Sequence, residues 1–380
     1  MSLLALLAGI DRNTVTPFLL SPREGPLTEE ARKLGIQVVI SGIEHWVTFG
    51  NAAKKNYPRR LTSVAVGLKG RVRAIARIIE QLGIDLVYTN TVTVIEGAIA
   101  ARITQRPHVW HLREHVAGNK DLKALCPAPL ISRIVGRLST SVIVNSQALA
   151  KAYTCKSIDE KVTVVHNGIN LESLQPIDDA RDSLRRELNL GPATKIVATI
   201  GSLTPRKGHR AFIDAASMLS NHLNGDIAFL VVGSGDNKYL GELVLKVKQG
   251  GLENAFRFVG WRNDIDRILS AVDLLLVTAE QEAFGRTVIE AMAARVPVVA
   301  TMSGGPEEII VDGLTGFLVP VNDSQAMARR AEDILSDAAL TKRLVDAAYL
   351  RVKEVFSIDA YIKKIEAIIL NMTSHKAVRH

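Results

Sequence analysis

Short, uninterrupted runs of Val, Ile and Leu alternate with amphipathic stretches of helix length along most of the chain. In the first half, Asp85 to Tyr88 precedes Thr91 to Ile103, His108 to His111 precedes Asp121 to Leu138, and Ser141 to Asn145 precedes Ala148 to Cys155. In the second half the strand-like runs are Lys195 to Ile200, Ile227 to Val232, Ala255 to Val259, Asp273 to Val277 and Val296 to Ala300, each followed by a helical segment. Strands this apolar must be buried on both faces. Strands that alternate with helices build parallel sheets. At 380 residues the chain exceeds the roughly 250 to 300 over which a single core grows. The pattern therefore predicts an α/β protein of two Rossmann-like, doubly wound domains. Residues 1–170 form the first, 171–192 a polar linker, and 193–356 the second. A tail helix at 357–372 carries an apolar stripe of Ala360, Ile362, Ile365, Ile368 and Ile369 that has to pack on something.

The opening is irregular. Leu3, Leu4, Leu6, Leu7 and Ile10 have helical spacing where a doubly wound domain ordinarily begins with a strand. Either the first domain lacks its opening strand or it simply begins with a helix. The leader has no positive n-region and stops at Asp11, and no apolar run reaches the ~18 residues needed to span a bilayer. Cys126 and Cys155 have neither metal-site spacing nor the density of a disulfide scaffold, which points to a reducing, cytoplasmic setting.

The formal charge of +8 is unevenly placed, because residues 1 to 170 carry 22 basic and 12 acidic side chains against 25 and 27 in the remainder. Residues 51 to 79 contain no acid and include Lys54, Lys55, Arg59, Arg60, Lys69, Arg71, Arg73 and Arg77. Such a block suits an anionic membrane surface or a phosphate-bearing acceptor, and equally a solvated face. Few aromatics accompany it, and no nucleic-acid module is visible.

Three strand-to-helix turns in the second half carry chemistry. Glu282-Ala-Phe-Gly-Arg-Thr-Val-Ile-Glu290 follows the run ending at Val277, at the rim where open α/β sheets bind ligands. Phe284, Gly285, Arg286 and Thr287 would open its helix with their amides directed at an anion. A glutamate pair on a helix also fits a solvated face. Gly201-Ser-Leu-Thr-Pro-Arg-Lys-Gly208 offers Arg206 and Lys207 to phosphate oxygens, or is a basic helix entry beside a turn glycine. Ser303-Gly-Gly-Pro-Glu307 places Gly304 and Gly305 at a third turn on the same rim. Gly233-Ser-Gly235 lacks the third glycine of a dinucleotide fingerprint, since position 238 is Lys. His108, His111 and His115 alternate sides of a strand, which disfavours a metal site. Asp264-Ile-Asp266 leads straight into a helical pattern, so capping is the simpler role.

Together, Gly201 to Gly208, Glu282 to Glu290 and Gly304 to Gly316 resemble the donor-domain motifs of the family-4 retaining glycosyltransferases, which have the GT-B fold. The resemblance extends from about residue 15 to the C-terminus, with Val142-Ile-Val-Asn-Ser146 and His166-Asn-Gly-Ile-Asn170 also similar. It implies two domains facing across a cleft, with the tail helix packed back on the first. It implies metal-independent, retaining transfer of a hexosyl group from a nucleotide-sugar to a glycan or lipid-linked acceptor, as in cell-surface polysaccharide or glycolipid synthesis. Glu282 would bind the donor sugar, Glu290 the ribose, Arg206 and Lys207 the diphosphate, and Trp261 and Arg262 would lie near the base. Family members often place a His at the end of the strand that here is His108 to Leu112. Strand register puts Arg113 there, flanked by His111 and His115, so Arg113 and His111 join the catalytic candidates. Measured against the family, a segment of roughly 20 to 30 residues, the length of a strand, a loop and half a helix, is expected before Met1. Alternatives are a nucleotide-sugar-binding protein inactive through its short N-terminus, a sugar-nucleotide epimerase and a glycan phosphorylase of the same fold.

Overall fold

The computed structural model describes residues 2–49, 57–119, 122–153, 155–222 and 226–374, and divides into two units. Unit 1 comprises residues 1–168 and 358–380, and unit 2 comprises Ile169–Ser357.

Unit 1 opens with a helix, Ser2–Gly9, followed by strands β1 (Phe18–Ser21) and β2 (Gln37–Ile40), which pair in parallel. β3 (Val47–Phe49) and β6 (Leu122–Ala124) form a small antiparallel ribbon. The main sheet has β4 (Val87–Thr89), β5 (His108–Leu112), β7 (Ser141–Val144) and β8 (Val162–Val164) in sequential parallel order. β1 pairs with β2 alone and β4 with β5 alone, yet helices bridge the two sheets. In Ser2–Gly9, Leu3 and Leu7 pack with Leu19 and Val38, while Leu6 packs with Val109 and Ile143. The long Tyr57–Gln81 helix buries Val72, Ile75, Ala76 and Ile79 against both Leu20 and Val87. The tail helix, Ile358–Ser374, belongs to this unit, where Tyr361, Ile362 and Ile365 cover Val109, Ile143 and Val165.

Unit 2 is a six-stranded parallel sheet in the order β11-β10-β9-β12-β13-β14. The strands are β9 (Lys195–Ile200), β10 (Ile227–Val232), β11 (Phe256–Gly260), β12 (Leu274–Val277), β13 (Val298–Thr301) and β14 (Phe317–Val319). Strand order reverses between β9 and β12, where Leu274 is paired with Val197. Separate apolar clusters cover the two faces, which explains why β9 and β12 are apolar at nearly every position.

Three sequence expectations need correction. The stretch 171–192 is not a free linker. Its helix Ala180–Leu188 buries Leu184 and Leu188 in the core of unit 2, and the boundary falls between Gly168 and Ile169. The segment from Asp121 is not one helix either, because β6 comes first and the helix begins only at Ala128, with Pro129 in its first turn. Thr91 to Ile103 likewise becomes helical only at Glu96.

Ile365 is fully buried. Replacing it with Ala is expected to cost about 2 to 5 kcal/mol through lost transfer energy and the cavity left behind. Urea unfolding of the Ile365→Ala chain would show it as a lowered midpoint for the transition of unit 1. An unchanged midpoint would mean that the tail helix contributes nothing to that core.

Candidate functional site

Two strand ends flank the switch point of the unit 2 sheet, and the loops that leave them carry the charged motif residues. After β9, the chain makes a tight turn over Pro205–Lys207 and ends it at Gly208, whose φ is +69°. A Cβ there would lie 1.8 Å from the carbonyl oxygen of Thr278, just beyond β12. Glycine is therefore what lets the two loops touch. Once they touch, the Glu280 amide donates to the Arg206 carbonyl at 2.8 Å, and Arg206 Nη1 donates to the Gln281 carbonyl at 2.7 Å. Lys207 lays its stem over Gly201, with Cδ 3.6 Å from the point a Cβ on that glycine would occupy, and reaches Glu282 Oε2 at 2.5 Å.

Glu282 joins this pair to the third turn. Its amide donates to the Ser303 carbonyl, and its carbonyl accepts from the Gly305 amide, both at 2.9 Å. A Cβ on Gly305 would come within 2.3 Å of Phe284 Cα, so this contact also requires glycine. The Gly304 amide donates to Glu307 Oε2 at 2.6 Å. Gly201, Arg206, Lys207, Glu282, Phe284, Gly285, Gly304 and Gly305 are thus brought together, as their positions on one sheet rim suggested. Phe284 itself is buried and packs edge-to-face on Phe356 with ring centroids 5.9 Å apart, so it supports the loop from below.

The two glutamates sit in opposite electrostatic settings. Burial would raise the Glu282 carboxyl, but the Lys207 charge and hydrogen bond, with Arg206 and the Phe284 amide, outweigh it and hold the pKa below the ordinary carboxylate value. For Glu290, burial wins over the Arg286 guanidinium and raises the pKa. Glu290 lies one turn into the helix Arg286–Ala293, where Arg286 Nε donates to it at 2.8 Å. That helix starts at Gly285, which has no side chain to cap the amides of Arg286 and Thr287.

Trp261, 70% exposed, follows the positive-φ Gly260 at the end of β11. Arg262 beside it is held by Asp264, with Nη2 to Oδ2 at 2.7 Å, and by Glu187. Its guanidinium is a clamp within the loop. Asp264 accepts from Arg262 and Arg267, and these bonds bring its pKa to about 2. Asp264 therefore serves an ion-pair network and makes no side-chain cap. Among the described residues, no cluster of three or more His, Cys, Asp or Glu is placed to hold a metal.

In unit 1, β5 sends alternate side chains to opposite faces. His108 faces Trp110 and shares a hydrogen bond with Thr89 Oγ1 at 2.8 Å, and burial drives its pKa to about 3. His111 points the other way, fully buried, with Nδ1 hydrogen-bonded to the Tyr88 hydroxyl and Nε2 without a partner. Burial, reinforced by the Arg113 charge, pushes its pKa well down. It is a neutral interior ring, which corrects the expectation of a catalytic His111 that meets substrate. Arg113 lies past the strand on the His111 side and is only half-buried. Its Nε donates to Asn90 Oδ1 at 2.9 Å, Nη1 to Asn167 Oδ1 at 2.7 Å, and Nη2 to the Tyr361 hydroxyl at 2.9 Å. Sequence reasoning missed Asn90, Tyr88 and Tyr361. Asn167 was visible only as part of the motif His166-Asn-Gly.

The basic block divides. Lys54 and Lys55 lie outside the described residues, as do the side chains of Arg59 and Arg60. Arg71 turns inward to the buried Glu96, with Nε to Oε1 at 2.8 Å, so it leaves the proposed patch and is structural. Lys69, Arg73 and Arg77, four residues apart, remain exposed on one helix face with Val66, which is 82% exposed.

Comparison with known proteins matches both halves to models of one family. Residues 2–173 match "Glycosyltransferase Family 4", and residues 180–351 match "Glycosyl transferases group 1". A lipopolysaccharide core biosynthesis mannosyltransferase of Rhizobium meliloti, LpsB, is 30% identical over 57% of this chain and 62% of its own length. The lipopolysaccharide core glycosyltransferase LpsE of the same organism is 25% identical over 60% of this chain and 64% of its own. The chain thus spans about three-fifths of these curated relatives. Among solved structures, Anabaena HepE in complex with UDP and glucose has a TM-score of 0.81 at 24% identity, covering 97% of this chain and 95% of its own. Sucrose-phosphate synthase of Thermosynechococcus elongatus has a TM-score of 0.70 at 20% identity, with 98% of each chain covered. These likenesses establish the GT-B fold. With both of its units matched by the family's models, the chain belongs to the family-4, group 1 glycosyltransferases.

Proposed function

We propose that this protein is a retaining glycosyltransferase that moves a hexosyl group from a nucleotide-sugar to a glycan or lipid-linked acceptor in cell-surface polysaccharide or glycolipid synthesis. The observation that carries the reading is the Lys207–Glu282 pair beside Arg206 at the switch point of the unit 2 sheet, where such sheets bind ligands. Arg206, Lys207 and the amides of Arg286 and Thr287 bind the diphosphate. Glu290 accepts hydrogen bonds from the ribose, Glu282 from the donor sugar, and Gly201, Gly304 and Gly305 let ligand approach the backbone. The exposed Trp261 face suits a base. Arg113 takes part in the reaction. Support for a glycosyl donor comes from the relatives' own names, which include a UDP-galactose-dependent galactosyltransferase acting on a lipid-linked acceptor.

In this reading the bond between the anomeric carbon and the diphosphate oxygen breaks as the acceptor oxygen bonds to the same face of that carbon. The leaving phosphate takes the acceptor's proton. The chain's part is electrostatic, because Arg206 and Lys207 stabilise the charge that collects on the departing diphosphate without requiring a metal. The exposed stripe of Lys69, Arg73 and Arg77 with Val66 docks the enzyme on an anionic membrane surface. No helix among the described residues is long and apolar enough to cross a membrane.

Thermal unfolding with a panel of UDP-, GDP- and ADP-sugars is expected to identify the donor, since a ligand of the folded state raises the transition by mass action. With that donor, Glu282→Ala should lower transfer at least about a hundredfold, and the midpoint should fall modestly because Lys207 loses its partner. Wild-type turnover in that variant would remove Glu282 from the site. Donor binding with no transfer by the native protein would favour a binding protein, and an epimerised nucleotide-sugar would mark an epimerase.

The glutamates also fix a pH order. As pH falls, Glu290, with its raised pKa, takes up a proton before Glu282, whose pKa is lowered. Calorimetric affinity for the free nucleoside diphosphate should therefore weaken on the acid side of neutrality, and Glu290→Gln should flatten that limb. An identical slope in the variant would show that Glu290 does not contact the nucleotide.

The membrane reading has its own test. At about 1 kcal/mol per basic residue near anionic lipid, neutralising Lys69, Arg73 and Arg77 to Gln should weaken binding to phosphatidylglycerol vesicles by about a hundredfold. Unchanged binding would make the stripe a solvated face.

A further inference from the structure

We propose that Asn167 and Tyr361 are positioning residues for Arg113, so that the two segments by which the chain leaves and re-enters unit 1 together orient its guanidinium. The inference rests on Arg113 taking part in the reaction. Asn167 stands just before Ile169, where unit 2 begins, and Tyr361 lies in the first turn of the helix that starts at Ile358, where unit 1 resumes. The crossings run side by side, since Ile169 bridges Ser357 and its amide donates to the Phe356 carbonyl at 2.9 Å. Each crossing gives one buried acceptor to a different nitrogen of the same group, Asn167 Oδ1 to Nη1 at 2.7 Å and the Tyr361 hydroxyl to Nη2 at 2.9 Å. Asn90, at the end of β4, takes Nε at 2.9 Å.

A guanidinium is a planar fork, so acceptors on all three nitrogens leave its plane no freedom to rotate. These three acceptors are neutral, so each orients the group without itself carrying an opposing charge. Two of them come from segments that continue directly into unit 2.

Tyr361→Phe removes a single hydroxyl and keeps the buried ring. In the full chain, UDP release from UDP-glucose is expected to fall about tenfold in kcat with little change in KM, as suits loss of one hydrogen bond to a charged group. In an Arg113→Ala background the same change should cost nothing further, because a residue acting only through Arg113 has no effect once Arg113 is gone. Equal losses in both backgrounds would overturn the positioning role. Full activity of Arg113→Ala would overturn the reading beneath it, and the proposal with it. Asn167→Ala provides the second arm and should behave in the same way. A readout that needs no donor is hydrogen exchange at Arg113 Nε–H by NMR, expected to speed up about tenfold in Tyr361→Phe as the fork loosens. Unchanged exchange there and in Asn167→Ala would show that neither residue holds the group.

Discussion

A parallel sheet covered on both faces leaves polar chemistry nowhere to stand except at the ends of its strands, and in unit 2 that constraint organises everything else. Its central strands β9 and β12 are buried almost throughout, so the chain can change from apolar to charged only where they stop. Three loops stop there together, and they can meet only because Gly208 and Gly305 have no Cβ to collide with the neighbouring backbone. The Lys207–Glu282 pair is the side-chain consequence of that meeting. Remove the close approach and the charges would sit on separate loops, each solvated and neither shaped for a ligand.

Much of this was legible in the sequence, and the reasons for the failures are physical. β9, β10 and β12 are long or wholly apolar, and their runs show it directly. β1, β2, β3, β6 and β14 have only three or four residues, too few for periodicity to separate strand from loop. The polar stretch after Glu172 looks like a linker because its helix shows only one face to the core, with Leu184 and Leu188 carrying the contact. The motif loops were readable because glycine and charge coincide there. The shape of the unit 1 cluster was not, since Asn90, Asn167 and Tyr361 lie far apart in the chain and become neighbours only through β4, the end of β8 and the tail helix.

Register explains why one imidazole is spent on structure while a guanidinium takes the outer position. His111 and Arg113 share a side of β5, but His111 is still within the strand and beneath Tyr88, whereas Arg113 has passed its end. Burial leaves the ring neutral, which also avoids placing two cations in contact. A composition-level view of basic charge misleads for a related reason. Of the residues in the acid-free block, Arg71 is an interior ion-pair partner, because the helix that carries it is amphipathic and Arg71 lies on the side facing Glu96.

The contrast between Glu282 and Glu290 bears on how a donor would be received. Lys207 is already paired with Glu282 before any ligand arrives, so the pair holds a buried carboxylate in its ionised form and keeps a cation beside it. A diphosphate carries more charge than one carboxylate, and it competes for the Lys207 ammonium on favourable terms. As the ammonium turns toward phosphate, Glu282 loses part of its partner and gains capacity to accept hydrogen bonds, which the hydroxyls of a sugar attached to that diphosphate can fill. A free nucleoside diphosphate would take the lysine and leave the carboxylate buried with less compensation, a cost of the kind that breaking a buried pair incurs. In the proposed reading the pair would therefore favour a diphosphate that brings a sugar with it, a physical basis for selecting the donor over the spent nucleotide.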